Sequence, residues 1–355
     1  MLIRCPAVAP IQLCFALRRP IANIQNMMFI RPAFLLTILI FAVLGVAAQD
    51  DDPIRVDSSI VRLNVGVVDQ RGRPITDLSK DSFELFEDGV RQDITRFEPS
   101  EAPFSVVIIL DMSGSTLGFR QVLKQSASRF IDAIAPSDRV AVVEFYDSVN
   151  LRNDFTTDRR TILNSINVSN GQGKTQLFKA LNFALDKLAK EKNRRKAIVV
   201  LTDGIDTALR DRDREFLAGL SDERVATAID PGASDVLERV LNRSDAQGVT
   251  IYPLALPTGD PAKLADPTPR QIAMFKAGRT RLQIIADRSG GTLNTINRLE
   301  EMGRLYAQVA ADMRTLYTVE YQPSNDKRDG KWRAIKIAVK SPDLITRTRQ
   351  GYFAR

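Results

Sequence analysis

The sequence predicts a doubly wound, mostly parallel α/β domain joined to a small β module made from segments near both ends of the chain. Four runs, "FSVVIILD", "DRVAVVEFYD", "KAIVVLTD" and "VTIYPLALP", are nearly unbroken Val, Ile and Leu bounded by polar or turn residues. Strands buried on both faces have this composition. Helical spacing fills the intervals. "GFRQVLKQSASRFIDAI" places Phe119, Val122, Leu123, Phe130 and Ile134 on one side, and "QLFKALNFALDKLAKEK" does so with Leu177, Leu181, Leu185 and Leu188. Strands alternating with helices call for crossover connections and a sheet covered on both faces. Outside this region the rhythm changes to strict alternation, which predicts the β module.

Taken in order, residues 1–48 read as an export leader. "MMFIRPAFLLTILIFAVLGVAAQDDD" has Arg31, an apolar run from Ala33 to Val46, and small residues Ala47 and Ala48 before the aspartates. That pattern predicts a signal peptide cut after Ala48, with the start of translation at Met27 or Met28. The protein is then periplasmic or secreted. Left uncut, the same segment anchors it to the membrane. No cysteine follows the apolar run, which argues against a lipid anchor. Residues 50–101 form the first part of the β module, where Asp88-Gly89 between "FELFE" and "VRQDITRFE" is a hairpin signal. The module is expected to have one wet face.

The α/β domain spans residues 103–311. Within it, 207–245 is highly charged and reads as a loop followed by a helix over 234–247, and four prolines in 257–270 mark a surface insertion. Residues 316–355 return to alternation in "YTVEYQP", "WRAIKIAVK" and "TRTRQGYFA" and are expected to pack with 50–101, because chain ends often meet.

Composition excludes whole classes of chemistry. The chain has no histidine, and its two cysteines, Cys5 and Cys14, both lie in the leader. A His-based triad, a cysteine nucleophile and a Cys/His zinc site are therefore absent from the folded body. Any metal must be held by oxygen. The net charge of +7 falls by four without residues 1–49, which hold four arginines and no acid. Basicity is then weak grounds for nucleic acid or anionic lipid as a partner, and none is expected.

In an open α/β sheet, ligands bind at the carboxyl ends of the strands near a switch in strand order. Asp111 ends "FSVVIILD" and Asp203 ends "AIVVLTD". Ser113 and Ser115 follow Asp111 around Gly114, and Thr175 opens a helix after "NGQGK". Two carboxylates and three hydroxyls suit a hard divalent cation, Mg²⁺ first, with Mn²⁺ and Ca²⁺ behind it. "DMSGS", Thr175 in "GKTQLFKAL" and Asp203 in "LTDG" resemble the metal-ion-dependent adhesion site of von Willebrand factor type A domains. That resemblance implies that Asp111, Ser113, Ser115, Thr175 and Asp203 are the metal ligands. It also implies that an acidic residue of a partner protein completes the shell, with no enzymatic activity. The flanking segments resemble exported acidobacterial proteins that carry such domains.

Other readings stand beside this one. An envelope or assembly component with a silent metal site has the same sequence. A Mg²⁺-dependent hydrolase lacks an evident general base. "GQGKT" departs from a phosphate-binding loop, because Val168 stands where that loop has glycine, so no nucleotide is expected. Asp147 is expected to cap a turn or to flank the site, Asp206 to stand as a loop acid or behind the metal ligands, Arg210 to lie on a solvated face, and Trp332 to pack within the β module.

Overall fold

The computed structural model describes residues 60–354 apart from 100, 101, 193 and 264; the expected leader lies outside the described residues. A central six-stranded sheet has the order β10-β9-β8-β5-β6-β7. Its middle strands are β5 (Phe104–Asp111), β6 (Arg139–Phe145) and β8 (Arg195–Thr202). They are flanked by β7 (Val149–Thr156) on one side, and by β9 (Val249–Ala255) and β10 (Asn294–Thr295) on the other. All neighbours run parallel except β6 and β7. The chain leaves β5 for β6 on one side and returns for β8 on the other, so strand order reverses between β5 and β8.

β5 is buried along its whole length because helices cover both faces. Val106, Ile108 and Leu110 face α1 (Arg120–Ala133), α2 (Arg159–Val168) and α8 (Met302–Arg314) in one core. Val107 and Ile109 face α3 (Leu177–Ala189), α6 (Asp235–Gln247) and α7 (Pro269–Ser289) in the other. Strand period two sorts consecutive residues onto the two faces, which is why the run reads as continuously apolar. The fold is the doubly wound α/β architecture that the sequence predicts.

Residues 207–229, read as a loop, form α4 (Thr207–Leu217) and α5 (Asp222–Ala228). Their apolar content is small, but Leu217 and Val225 pack against Ala273 and Met274 of α7. Tertiary packing stabilises helices whose composition alone is charged.

The remaining strands make two four-stranded antiparallel sheets with a shared apolar core. One has the order β13-β1-β11-β4, from β1 (Val61–Asp69), β4 (Ile94–Glu98), β11 (Leu316–Tyr321) and β13 (Leu344–Arg347). The other is β14-β12-β2-β3, from β2 (Phe83–Glu87), β3 (Val90–Gln92), β12 (Trp332–Val339) and β14 (Gly351–Phe353). The β2–β3 hairpin turns at Asp88 and Gly89, both with positive φ, as a two-residue turn requires.

The expectation of a wet face fails at β1. Val61, Leu63, Val65 and Val67 fill the core between the small sheets. Arg62 and Asn64 turn toward the α/β domain, where Asn64 Nδ2 donates to Thr250 Oγ1 (2.6 Å) and Arg62 Nη1 to the Arg194 carbonyl (3.2 Å). β1 is a shared wall. Arg349, 5% exposed, reinforces the junction by donating to the carbonyls of Asp245 (2.8 Å) and Arg62 (3.0 Å). Asp245 also pairs with Arg288, whose guanidinium lies over the rings of Trp332 and Phe353. Trp332 packs in the module by its edge contact with Phe353 while remaining 39% exposed.

Replacing Asp245 with leucine leaves the buried Arg349 and the half-buried Arg288 without their carboxylate, and is expected to cost roughly 3–5 kcal/mol. Arg349→Met leaves the Asp245–Arg288 pair in place and is expected to cost less, about 1–3 kcal/mol. Urea unfolding followed by the fluorescence of Trp332, the one tryptophan, and by far-ultraviolet circular dichroism measures both. The two probes should coincide if β1 makes the domain and the module unfold together.

Candidate functional site

The switch in strand order places the tips of β5 and β8 side by side. Leu110 is paired with Leu201, so the next residues of both strands emerge at the same level. Asp111 accepts a hydrogen bond on Oδ1 from the Ser113 hydroxyl (2.5 Å) and another from the Ser113 N–H (3.0 Å). Its Oδ2 accepts from Thr202 Oγ1 at 3.0 Å. The Ser113 and Ser115 hydroxyls are 3.2 Å apart, and Ser115 lies near enough to the Asp203 carboxylate to favour its charged form. Asp203 Oδ1 accepts from the Ile205 N–H at 3.0 Å. Asp111, Ser113 and Ser115 are therefore hydrogen-bonded together with Asp203 beside them, and the cluster opens to solvent through the exposed Ser115.

Thr175 makes no hydrogen bond to the cluster among the described residues, and only its loop is tied to it. The Gly114 N–H donates to the Gly173 carbonyl (3.1 Å), which brings the loop before α3 against the serine loop. Thr175 itself is 8% exposed, and its main chain exchanges hydrogen bonds with Thr207: N–H to Oγ1 at 2.9 Å and C=O from N–H at 3.0 Å.

Of the residues that support the cluster, Thr116 and Thr202 carried no clear signal in the sequence, whereas Asp147 and Asp206 stood out as acids at or just past strand ends. Thr116 Oγ1 donates to the carbonyls of Asp111 and Ser113, both at 2.9 Å, and closes the serine loop. Thr202 orients Asp111 while accepting from the Gly204 N–H. A threonine at the end of a strand reads as an ordinary β former, which hides the role. Asp147 accepts from the Lys174 N–H at 2.8 Å, its carbonyl accepts from Gln176 Nε2, and a side chain at Gly173 (φ +107°) would collide with its carboxylate. It shapes the threonine loop from the next strand. Asp206 caps α4 through the N–H groups of Ala208 (3.1 Å) and Leu209 (3.3 Å), and also accepts from Phe178 N–H (3.3 Å). It is a buried cap joining two helices.

Electrostatics single out the two strand-tip aspartates. Asp111 is fully buried and Asp203 is 4% exposed, and neither is in an ion pair among the described residues. Burial, then the neighbouring Asp203 charge, push the Asp111 carboxyl up to about 7, against the pull of its bonds from Ser113 and Thr202. Burial also raises Asp203, opposed by its hydrogen bonds and by the charges of Arg279 and Arg210. Two buried carboxylates that repel one another, with only hydroxyls and backbone N–H groups in contact, are an anionic pair without a countercharge. Among the described residues no group of three or more His, Cys, Asp or Glu side chains is placed to hold a metal. The charged donors here number two, and hydroxyl oxygens supply the rest, which fits a hard cation that keeps some of its water.

The fold is that of a doubly wound α/β domain with a mostly parallel sheet. Residues 106–205 match the family model for the von Willebrand factor type A domain, and the chain carries that domain. No curated protein matches the chain. Among solved structures, the chain is similar to the von Willebrand factor domain of the type V pili tip protein Mfa5 from Porphyromonas gingivalis. Identity is 14% over 59% of this chain and 95% of that one, with a TM-score of 0.45. A von Willebrand factor type A protein from Catenulispora acidiphila is 13% identical over 85% of this chain and 64% of that one, at 0.46. The pilus adhesin SpaC from Lactobacillus rhamnosus GG is 11% identical over 82% and 47%, at 0.44.

The raised carboxyl predicts how stability depends on pH when a chelator keeps cations away. With its pKa raised in the folded state, Asp111 holds a proton there at pH values where the unfolded chain has lost it. Stability therefore falls as pH rises from about 4 through 7. Thermal melts in EDTA at pH 5 and pH 7.5 should show that fall, and Asp111→Asn, which cannot ionise, should flatten it. The opposite slope in that window would show that Asp111 is charged in the fold without help. Gly173→Ala, which meets both the positive φ and Asp147, is expected to lower stability by about 1–3 kcal/mol.

Proposed function

We propose that the chain is an exported binding protein whose type A domain holds one divalent cation, Mg²⁺ first, and presents it to an acidic residue of a partner protein. The observation that carries this is the pair of buried carboxylates, Asp111 and Asp203, close enough to act on one another's charge, with the Ser113 and Ser115 hydroxyls beside them and no cationic partner in contact among the described residues. Those four residues and Thr175 would hold the ion. When bound, it supplies a positive centre able to take a further carboxylate oxygen.

The ion itself favours an acidic partner. Arg210 and Arg279 act on Asp203, and Arg120 on Asp111, from beyond direct contact. A divalent ion offsets the two carboxylates, and it is the ion that offers the positive centre, because Arg120, Arg210 and Arg279 each also face an acid, Glu144, Asp211 and Asp260. The action is ligation without turnover, of the kind an adhesion or assembly protein uses. Among the described residues no helix is long and apolar enough to cross a membrane; the leader carries the expectation of export.

Thermal melts in EDTA, then with Mg²⁺, Mn²⁺ or Ca²⁺, test the cation. An ion that binds only the folded state at a hundred times its dissociation constant adds about 2.7 kcal/mol. The parent should be stabilised and Asp111→Ala should not. Partner capture should then need the ion and be competed by a carboxylate such as glutamate or acetate. Capture that persists in EDTA and in Asp111→Ala would favour a structural component with a silent site. Phosphatase or esterase turnover that is lost in Asp111→Ala would contradict the ligation reading.

A further inference from the structure

One side chain outside the expected ligand set spans two of the strand-tip loops at once. Arg120, the first residue of α1, sends Nη2 back to the carbonyls of Met112 (2.7 Å) and Ser113 (3.2 Å). Its Nη1 donates across to Asn170 Oδ1 at 2.7 Å. Asn170 is fixed in turn, because its N–H donates to Glu144 Oε2 (3.1 Å), and Glu144 is 1% exposed and paired with Arg152 at 3.5 Å. A continuous line of contacts therefore runs from β7 and β6, through the loop before α3, to the two carbonyls that flank Ser113.

The chemistry of Arg120 sets it apart from a surface charge. Among the described residues it makes no ion pair, although Asp111 and Glu144 are near enough to act on it electrostatically. Its Nε is buried without a hydrogen-bond partner. An arginine placed to neutralise Asp111 would contact that carboxylate. This one spends its donors on neutral acceptors from two separate loops and remains partly desolvated. A planar guanidinium with fixed donors can bridge in this way, whereas an ammonium cannot hold the same geometry.

We propose that Arg120 is a positioning residue that clamps the serine loop, residues 112–116, to the loop of residues 170–175, so that Ser113, Ser115 and Thr175 are held together before a cation arrives. This rests on the cation reading of the site for its consequence, although the clamp itself is independent of any ion. Charge and geometry make opposite predictions for its removal. A positive group beside a cation site repels the ion, so taking away the charge alone strengthens binding. Taking away the clamp leaves the loops to be ordered at the expense of binding, which weakens it.

The test uses the full chain with Arg120→Met, Arg120→Lys and Asn170→Ala, the last removing one rung at an exposed position where folding is not at risk. Amide hydrogen exchange in EDTA is read at Gly114, whose N–H bridges to Gly173, and compared with buried amides of β5. Mn²⁺ affinity is then measured by titration. Faster exchange at Gly114 in all three variants, with β5 unchanged, supports the clamp. Mn²⁺ binding should weaken about tenfold or more in both Arg120 variants, lysine included. Unchanged exchange at Gly114 would overturn the proposal, as would tighter Mn²⁺ binding by the methionine variant with parental binding by the lysine variant. If the parent itself takes up no Mn²⁺, the cation reading fails while the exchange result still decides the clamp.

Discussion

Two carboxylates buried side by side, Asp111 and Asp203, are the constraint around which the rest of this molecule is arranged. Parallel pairing of β5 and β8 puts Asp111 level with Thr202 and Asp203 one residue beyond, and the strand-order switch leaves room above them for loops. Neither carboxylate is cheap to keep charged in that position. The hydroxyls of Ser113, Ser115 and Thr202 reduce the cost without removing it, since a hydroxyl donates one hydrogen and carries no charge. A fold that keeps this pair together either protonates it or compensates it with a cation.

The supporting structure is rigid where the site needs it. Helices on both faces fix the sheet, and each strand-tip loop is tied to a neighbour. Thr116 closes the serine loop, Asp147 and Gly173 shape the threonine loop, and Arg120 links the two. Far from the site, β1 joins the α/β domain to the β module by burying both of its faces. α8 runs into β11 with Thr315 alone between them. A displacement of α8 along its axis would pull on the central part of a sheet in the β module, so the helix is anchored at that end.

How much of this was legible follows from how local each interaction is. Four strands of the α/β domain, β5, β6, β8 and β9, showed plainly because burial on both faces leaves an apolar run, whereas the edge strands β7 and β10 have no such run and gave no signal. Asp111, Ser113, Ser115 and Asp203 stood out because acids and hydroxyls at the ends of such runs have no core role, and the structure brings these four together. Thr202 and Thr116 stayed hidden because a threonine beside a strand is commonplace. Arg120 resembled any charged residue at the start of a helix, since two of its acceptors are backbone carbonyls and the third, Asn170, lies on another loop 50 residues away. The second face of β1 was misread because Arg62 and Asn64 alternate as exposed residues do; only their distant partners, Arg194 and Thr250, show that the face is covered. Residues 207–229 were misread as a loop because their charges outweighed the few apolar positions that pack on α7.

Counting the bound ion is the most direct test of the central claim. Electron paramagnetic resonance of Mn²⁺ titrated into the full chain distinguishes free from bound metal, and the same titration is run on Asp203→Asn and Ser113→Ala. The account predicts one Mn²⁺ per chain, displaced by Mg²⁺, with binding weakened or lost in both variants. Absence of bound Mn²⁺ at millimolar concentration, or equal binding in the parent and both variants, would contradict it. The buried pair would then be a protonated structural element, and the site of partner binding would lie elsewhere on the chain.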